Sequence, residues 1–439
     1  MSDYIFMLEN HLSTEQSRIV EVVRTAAAQV NVNVFLTGGA MRDMLAGFRI
    51  RDLDFVVEGN TGKIAASVAE TVGAQVVSED PQRKSVELAL VSGVTLQIAM
   101  SCQFKAGRPG SKPQILPATI QEDLRARDFT CNAIALSLSR ASRGLLLDPM
   151  NGLADIERRE LRLTNPYAFY DDPCRLLRLV RFRVRLGFAV EERTQMQLAN
   201  AREAGVEKQI PQRALGEELR QIGLEDNPGE ILKLLEEAGL LTLFSPSLAG
   251  PKLNWPGLAK LEKIVRIVPD ETRFREARLG IFLHALTEKL SAKEKQAVVK
   301  LLELPKPELD RLNKLEAAAR KVESALRSPR IRKPSQVYFI LNKAEADEIL
   351  FLLYHSGYKP VQERIRNYFQ KYVPAVQEIT PEEWAQAESK APPRRSAAKF
   401  RDEFIANRLD RRPRKPVPPG PVEVPPAPVV EMAGARRLR

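Results

Sequence analysis

Residues 36–59 read LTGGAMRDMLAGFRIRDLDFVVEG, and the fold turns on how this stretch is read. Just before it, Val32-Asn33-Val34-Phe35-Leu36 is a short apolar run ended by Thr37-Gly38-Gly39, which reads as a strand and a tight turn. Residues 40–46 read as a helical span closed at Gly47, and residues 53–57 as a second strand. Asp52 and Asp54 open that strand two residues apart, so both carboxylates project from one face. Such a pair is self-repelling unless a cation sits between its members. Hard oxygen ligands at this spacing suit Mg²⁺, which completes its shell with water and phosphate oxygens. A charged edge strand facing solvent would show the same D-x-D pattern. Gly38-Gly39 argues for a site, because backbone without side chains lets a polyphosphate approach the N–H groups that open a helix. The spacing fits neither G-x-G-x-x-G nor G-x-x-x-x-G-K-[ST], which disfavours ordinary dinucleotide-binding and P-loop readings.

Outward from this stretch the pattern is mixed α/β. Residues 15–30 and 63–72 read as helices, and residues 86–90 and 94–99 as a hairpin around Ser92-Gly93. After Pro166 the pattern is almost wholly helical, with spans at 176–184, 213–222, 229–238, 257–267, 275–290, 293–302 and 307–324. From about residue 391 Pro-Pro, Arg-Arg and PVPPGPVEVPPAPVV take over, a composition expected to be extended or disordered.

The 439 residues carry 67 Lys+Arg against 56 Asp+Glu, and 44% are hydrophobic, which excludes wholesale disorder and suggests two or three domains. The net charge of +11 favours a polyanionic partner. It is unevenly placed: residues 390–439 hold 13 Lys+Arg and 5 Asp+Glu, so the rest is nearly balanced. No apolar run approaches the ~20 residues of a membrane span, and the N-terminal MSDYIFMLEN has no basic n-region and is not read as a secretory leader. Cys102, Cys131 and Cys174 lie far apart and form neither a disulfide framework nor a metal knuckle, so a reducing cytoplasm is expected. His11, His284 and His355 are equally scattered, which argues against a His-rich metal site or a Ser-His-Asp triad.

The combination LTGGAMRDML…RDLDFVVEG resembles motif A of the class II tRNA nucleotidyltransferases (CCA-adding enzymes) and bacterial poly(A) polymerases. Three later stretches resemble motifs B to D of that family in order: EDLRARDFTCNAIA at 122–135, LLDPMNGLADIERRELRLTNP at 146–166 and DDPCRLLRLVRFRVRLGF at 171–188. PQRALGEEL at 211–219 is a weaker likeness to motif E. The resemblance implies an α+β protein with a DNA polymerase β-like head built on a mixed sheet, a helical neck and body, and a disordered basic Pro-rich tail. The corresponding boundaries are a head at 1–165, a neck at 166–240, an RNA-binding body at 241–378 and a tail at 379–439.

The resemblance also implies roles. Asp52 and Asp54 would hold catalytic Mg²⁺, while Gly38, Gly39, Arg42 and Arg127 would contact the nucleotide. Asp172 and Arg175 would read the incoming base, and Arg178 and Arg181 would contact triphosphate or nucleotide. Residue chemistry agrees: Asp offers only acceptors and Arg only donors, which together match base edges. Arg175, Arg178, Arg181 and Arg185 form one basic helical face, and Leu177, Val180 and Val184 an apolar one. The implied reaction is two-metal transfer of nucleotides from CTP and ATP to the 3′ end of tRNA, as CCA, CC or A. The acceptor stem would be the partner and the cytoplasm the location.

One departure bears on activity. The family's third carboxylate falls on Gln97, which cannot neutralise a metal. Glu87 stands opposite Gln97 only if the hairpin loop holds three residues; a two-residue loop would set Leu88 there instead. Ala126, Asp171 and Gln212 are milder departures, at places where the family has Arg, Glu and Glu. A poly(A) polymerase and a catalytically impaired RNA-binding paralogue are the competing readings.

Overall fold

A computed structural model of the chain describes residues 3–81, 83–105, 114–269, 272–389 and 397–411. In the head, α1 (Asp3–His11) and α2 (Thr14–Gln29) precede β1 (Val34–Thr37), α3 (Gly38–Leu45), β2 (Leu53–Val57) and α4 (Thr61–Val72). Then come β3 (Gln75–Asp80), β4 (Ser85–Ala89), β5 (Thr95–Met100), β6 (Cys102–Lys105) and β7 (Gln114–Pro117). The capping box of Ser13 with Gln16 starts α2, and Ile19, Val23, Ala26 and Ala27 recur at helical spacing on its buried face. Short α5 (Ile120–Arg125), β8 (Ala135–Ser137), β9 (Leu146–Leu147) and α6 (Gly152–Arg158) complete the head. Its seven-stranded sheet has the order β3-β4-β5-β2-β1-β8-β9. Only β2 and β5 run parallel; the other neighbours are antiparallel, so the sheet is mixed as expected.

Two details differ from the sequence reading. The Gly38-Gly39 pair is the first turn of α3 rather than a turn before it. Asp52 lies one residue ahead of β2 rather than inside it. The hairpin question is resolved by its register: Ala89 pairs with Thr95 and Glu87 with Gln97, and Leu90 N–H donates to Val94 O at 2.9 Å, leaving a three-residue loop.

Beyond the head, β10 (Glu160–Leu161) pairs in parallel with β11 (Ala189–Val190), bracketing α7 (Ala168–Asp171) and α8 (Arg175–Leu186). Then follow α9 (Glu192–Glu203), α10 (Gln212–Leu224), α11 (Pro228–Glu237), α12 (Trp255–Val265), α13 (Thr272–Thr287), α14 (Ala292–Leu301) and α15 (Lys306–Arg327). The body closes with α16 (Pro334–Lys343), α17 (Ala346–His355), α18 (Lys359–Asn367) and α19 (Val373–Gln377). Helix α8 joins two hydrophobic cores. Leu176, Leu179, Phe182 and Leu186 are buried in the head's core, whereas Leu177 is buried in the body's core with Val180 and Val184 beside it. The arginines of α8 are therefore squeezed between two apolar faces, and the head's core continues through Ala201 and Val206.

The tail expected from 379 starts later. Helices α20 (Pro381–Ser389) and α21 (Ala397–Asp410) are formed, and Asp410 accepts hydrogen bonds from the backbone N and hydroxyl of Ser335, at 3.0 and 2.8 Å. The Pro content suggested an unfolded segment, but AAKFRDEFIANRLD contains no proline and its Leu409 is buried. The Pro-rich stretch proper, 412–439, lies outside the described residues. Among the described residues no helix is long and apolar enough to cross a membrane. Cys102, Cys131 and Cys174 are free thiols, all buried.

Candidate active site

The step from β1 into α3 places the acidic pair. Gly38 has φ +62°, and a Cβ there would lie 3.0 Å from Asp54 Oδ2 and 3.1 Å from Arg127 Nη1, so this position has no room for a side chain. Gly39 N–H donates to Asp54 Oδ2 at 3.1 Å. The first N–H groups of α3 are thus directed at a carboxylate held by the neighbouring strand.

Asp54 is half-buried, and its pKa is pushed up to about 6 by that burial and by the Asp52 charge, against the pull of Arg127, Gly39 N–H and Arg42. Asp52 is more open. Its Oδ1 accepts from Thr95 Oγ1 at 2.7 Å and pairs with Arg275 Nη2 of α13 at 3.3 Å. Asp54 Oδ1 and Asp52 Oδ2 are not used in these bonds, so the pair offers two hard oxygen donors to a divalent cation.

Arg127 closes the other side. It donates to Asp123 Oδ2 at 3.0 and 3.1 Å, to Asn132 O at 3.2 Å and to Thr37 Oγ1 at 3.1 Å. Arg42 is buried, donating to Asp43 and Asn132, with its guanidinium 4.9 Å from the Phe182 ring centroid.

The basic face of α8 is built into the protein rather than solvated. Arg178 pairs with Asp128 at 2.9 Å, Arg181 with Glu218 and Glu225 at 2.6 and 3.1 Å, and Arg185 with Asp43 at 2.8 Å. Burial alone would raise the Asp128 and Glu225 carboxyls, but their arginine partners hold both down at about 2. Arg175 donates to Ala126 O and Ala168 O at 3.0 and 3.2 Å, and its buried Nε has no hydrogen-bond partner. Asp172 is partly exposed; its Oδ2 lies 3.8 Å from both Arg175 Nε and Arg178 Nη2. This Asp–Arg pair leaves donors and acceptors next to each other at the mouth.

These groups line a cleft of about 570 Å³. All ten residues singled out in the sequence reach it: Asp52, Asp54, Gly38, Gly39, Arg42, Arg127, Asp172, Arg175, Arg178 and Arg181. Their states differ, because Arg42 and Arg181 spend their donors on carboxylates while Asp52 and Asp172 remain open. Gln97 lines the cleft, but Glu87 does not. Sequence reasoning missed the counter-ions Asp43, Asp123, Asp128, Glu218 and Glu225, and Arg275 from the distant α13. A basic helix face that also carries apolar residues on both flanks was the available signal for buried partners.

Residues 34–162 match the family described as the Poly A polymerase head domain. The chain is 33% identical over 237 residues to the A-adding tRNA nucleotidyltransferase of Aquifex aeolicus, covering 54% of this chain and 28% of that protein. It is 33% identical over 229 residues to the CC-adding tRNA nucleotidyltransferase of Deinococcus radiodurans, covering 52% of this chain and 57% of that protein. The chain thus spans at most somewhat over half the length of these relatives. A solved structure of a CCA-adding enzyme, apo form II, superposes with a TM-score of 0.53 at 24% identity, covering 94% of this chain and 96% of the other, which is a likeness of fold. The segment of the head that carries the acidic pair, residues 34–162, is thus similar to a Poly A polymerase head domain.

Proposed function

We propose that the protein is a template-independent nucleotidyltransferase that transfers nucleotides from CTP or ATP to the 3′ end of tRNA. The observation that carries this reading is the single cleft in which Asp52 and Asp54 face Arg127, Arg178 and the Asp172–Arg175 pair. In the reaction the 3′-hydroxyl oxygen bonds to the α-phosphorus, the bond from that phosphorus to the bridging oxygen breaks, and pyrophosphate leaves. Asp52 and Asp54 would hold the divalent cation, Mg²⁺ in this reading; when bound it supplies charge neutralisation at the entering and leaving oxygens.

The protein's own residues do the rest. Gly38 and Gly39 keep the approach to Asp54 open, and Arg127 and Arg178 place positive charge where phosphates lie. Asp172 and Arg175 present an acceptor and a donor to the base edge. Arg42 and Arg181 contribute by fixing the wall that carries them. Residues 1–165 form the catalytic head in this scheme, 166–240 the neck that reads the base, and 241–378 the body that holds the acceptor stem by its shape. A cytoplasmic location fits three reduced thiols.

Incubation with Mg²⁺, CTP, ATP and tRNAs lacking CCA, CA or A tests the proposal. Extension of at least one acceptor is the expected result, and the acceptor chosen distinguishes CCA, CC and A addition. Long adenosine tracts on unrelated RNA would instead make it a poly(A) polymerase. Gln97 beside Asp54 favours one further reading, an impaired paralogue that binds tRNA without extending it. Intact tRNA binding with no product on any acceptor would establish that.

A further inference from the structure

Two of the three histidines scattered along the sequence, His284 and His355, come together in the fold. His284 sits in the last turn of α13, Glu288 directly follows the end of that helix, and His355 ends α17, which packs along α13. One ligand atom from each of His284, Glu288 and His355 lies within 4.8 Å of the others. Scatter along the sequence argued against a His-rich metal site, but the packing of two helices far apart in sequence brings two of the three histidines together beside a carboxylate.

The geometry points to a transition-metal site of the zinc class at the α13–α17 seam, with His284, Glu288 and His355 as its three protein ligands and an open fourth position. Two imidazoles and one carboxylate are a common ligand set for Zn²⁺, with bonds of about 2.0–2.2 Å. A tetrahedral site of that size needs its ligand atoms roughly 3.4 Å apart. The contraction falls mainly on His355, an exposed side chain at the end of its helix.

Two further observations favour a ligand here. His284 Nε2 is buried with no hydrogen-bond partner, a costly arrangement that metal coordination would relieve. Glu288 is already oriented: Tyr354 Oη donates to its Oε2 at 2.9 Å, and Asn254 Nδ2 donates to the same oxygen. Oε1 is not used in these bonds, and the carboxylate is held by second groups as metal-ligating carboxylates usually are. The ring of His284 is itself fixed edge-on against Phe351 and Tyr354, at 4.9 and 5.7 Å between centroids. Residues 275 and 278 of α13 reach Asp52 and Asp226, so a metal here would tie the helix that touches the cleft to the body's core.

Titrating the metal-free full-length protein with Co²⁺ tests this, with excess Mg²⁺ present to occupy the hard-oxygen pair at Asp52 and Asp54. The expected result is a visible absorption band that saturates at about one equivalent and is displaced by Zn²⁺. The band should vanish in His355→Ala and Glu288→Gln, both at exposed positions, and in His284→Phe, which keeps the ring contacts. Zn²⁺ should raise the thermal midpoint of the wild type by a few degrees and leave that of His355→Ala unmoved. No band in the wild type, or an unchanged band in His355→Ala, would overturn the assignment.

Discussion

Gln97 stands level with Asp54 across the parallel β2–β5 ladder, so the two side chains share one face of the sheet. Glu87 is level with Gln97 one strand further out, and its carboxylate accepts the Ser78 hydroxyl at 2.9 Å. With strands about 4.8 Å apart, Glu87 starts roughly 10 Å from the Asp54 backbone. The three-residue loop gives Glu87 the correct register but the wrong distance. Gln97→Glu should therefore lower the Mg²⁺ concentration for half-maximal activity by roughly tenfold, equivalent to ~1.4 kcal/mol. Glu87→Gln should leave it within about twofold. A Mg²⁺ titration of initial rates measures both.

Asp54→Asn keeps the size of the side chain and removes its charge. Single-turnover incorporation should fall by about 10³-fold or more. The thermal midpoint should hold or rise, because burial and Asp52 both disfavour the ionised Asp54. A near-wild-type rate would remove Asp54 from the metal site.

Arg175→Ala should relax the choice of CTP over UTP by roughly tenfold while tRNA affinity changes by less than about twofold. Its guanidinium is anchored on Ala126 O and Ala168 O, with Nε beside Asp172. Competition assays with mixed nucleotides measure the first effect, and filter binding the second.

Glu225 is buried and holds Arg185, Arg181 and Arg51, which depress its pKa to about 2 although burial works the other way. A depressed carboxyl contributes stability above its unfolded value, ~4.3, and that contribution is lost as pH falls through the folded value. Glu225→Gln should thus lose on the order of 3 kcal/mol at pH 7. Denaturant titrations should show wild type and variant converging as the pH approaches 2.

Truncation after Arg411 and truncation after residue 396 should behave differently. The second removes Asp410, which holds Ser335, and should lower the thermal midpoint. The first removes only the Pro-rich stretch with Arg412, Arg414, Lys415, Arg436, Arg437 and Arg439. It should preserve the midpoint and flatten the salt dependence of tRNA binding.

The strands and helices around Gly38-Gly39 and Asp52-x-Asp54 were legible because local periodicity and turn residues specify them. The ten cleft residues were legible through their order along the chain. What local pattern could not supply was pairing between distant segments. Arg181 and Glu218 are 37 residues apart, and Arg275 and Asp52 are 223 apart. A helix that reads as one basic face and one apolar face proved apolar on two sides, because the neighbours that cover the second side come from helices later in the chain. The same blindness hid the convergence of His284 with His355.

The contacts that bind the head to the rest of the molecule differ in kind. Asp43, Arg181, Glu218 and Glu225 are at most 6% exposed, so parting α3 from α8 and α10 would strand charges away from water. The link from Asp52 to Arg275 is half open to solvent, and such a pair is worth only ~0–1 kcal/mol. Head, α8 and α10 are consequently locked to one another, and α13 packs against α10 in the body's core, where Arg278 holds Asp226 at 2.6 Å. The Asp52–Arg275 pair can therefore part without stranding a buried charge, and the carboxylate it frees is a member of the acidic pair itself.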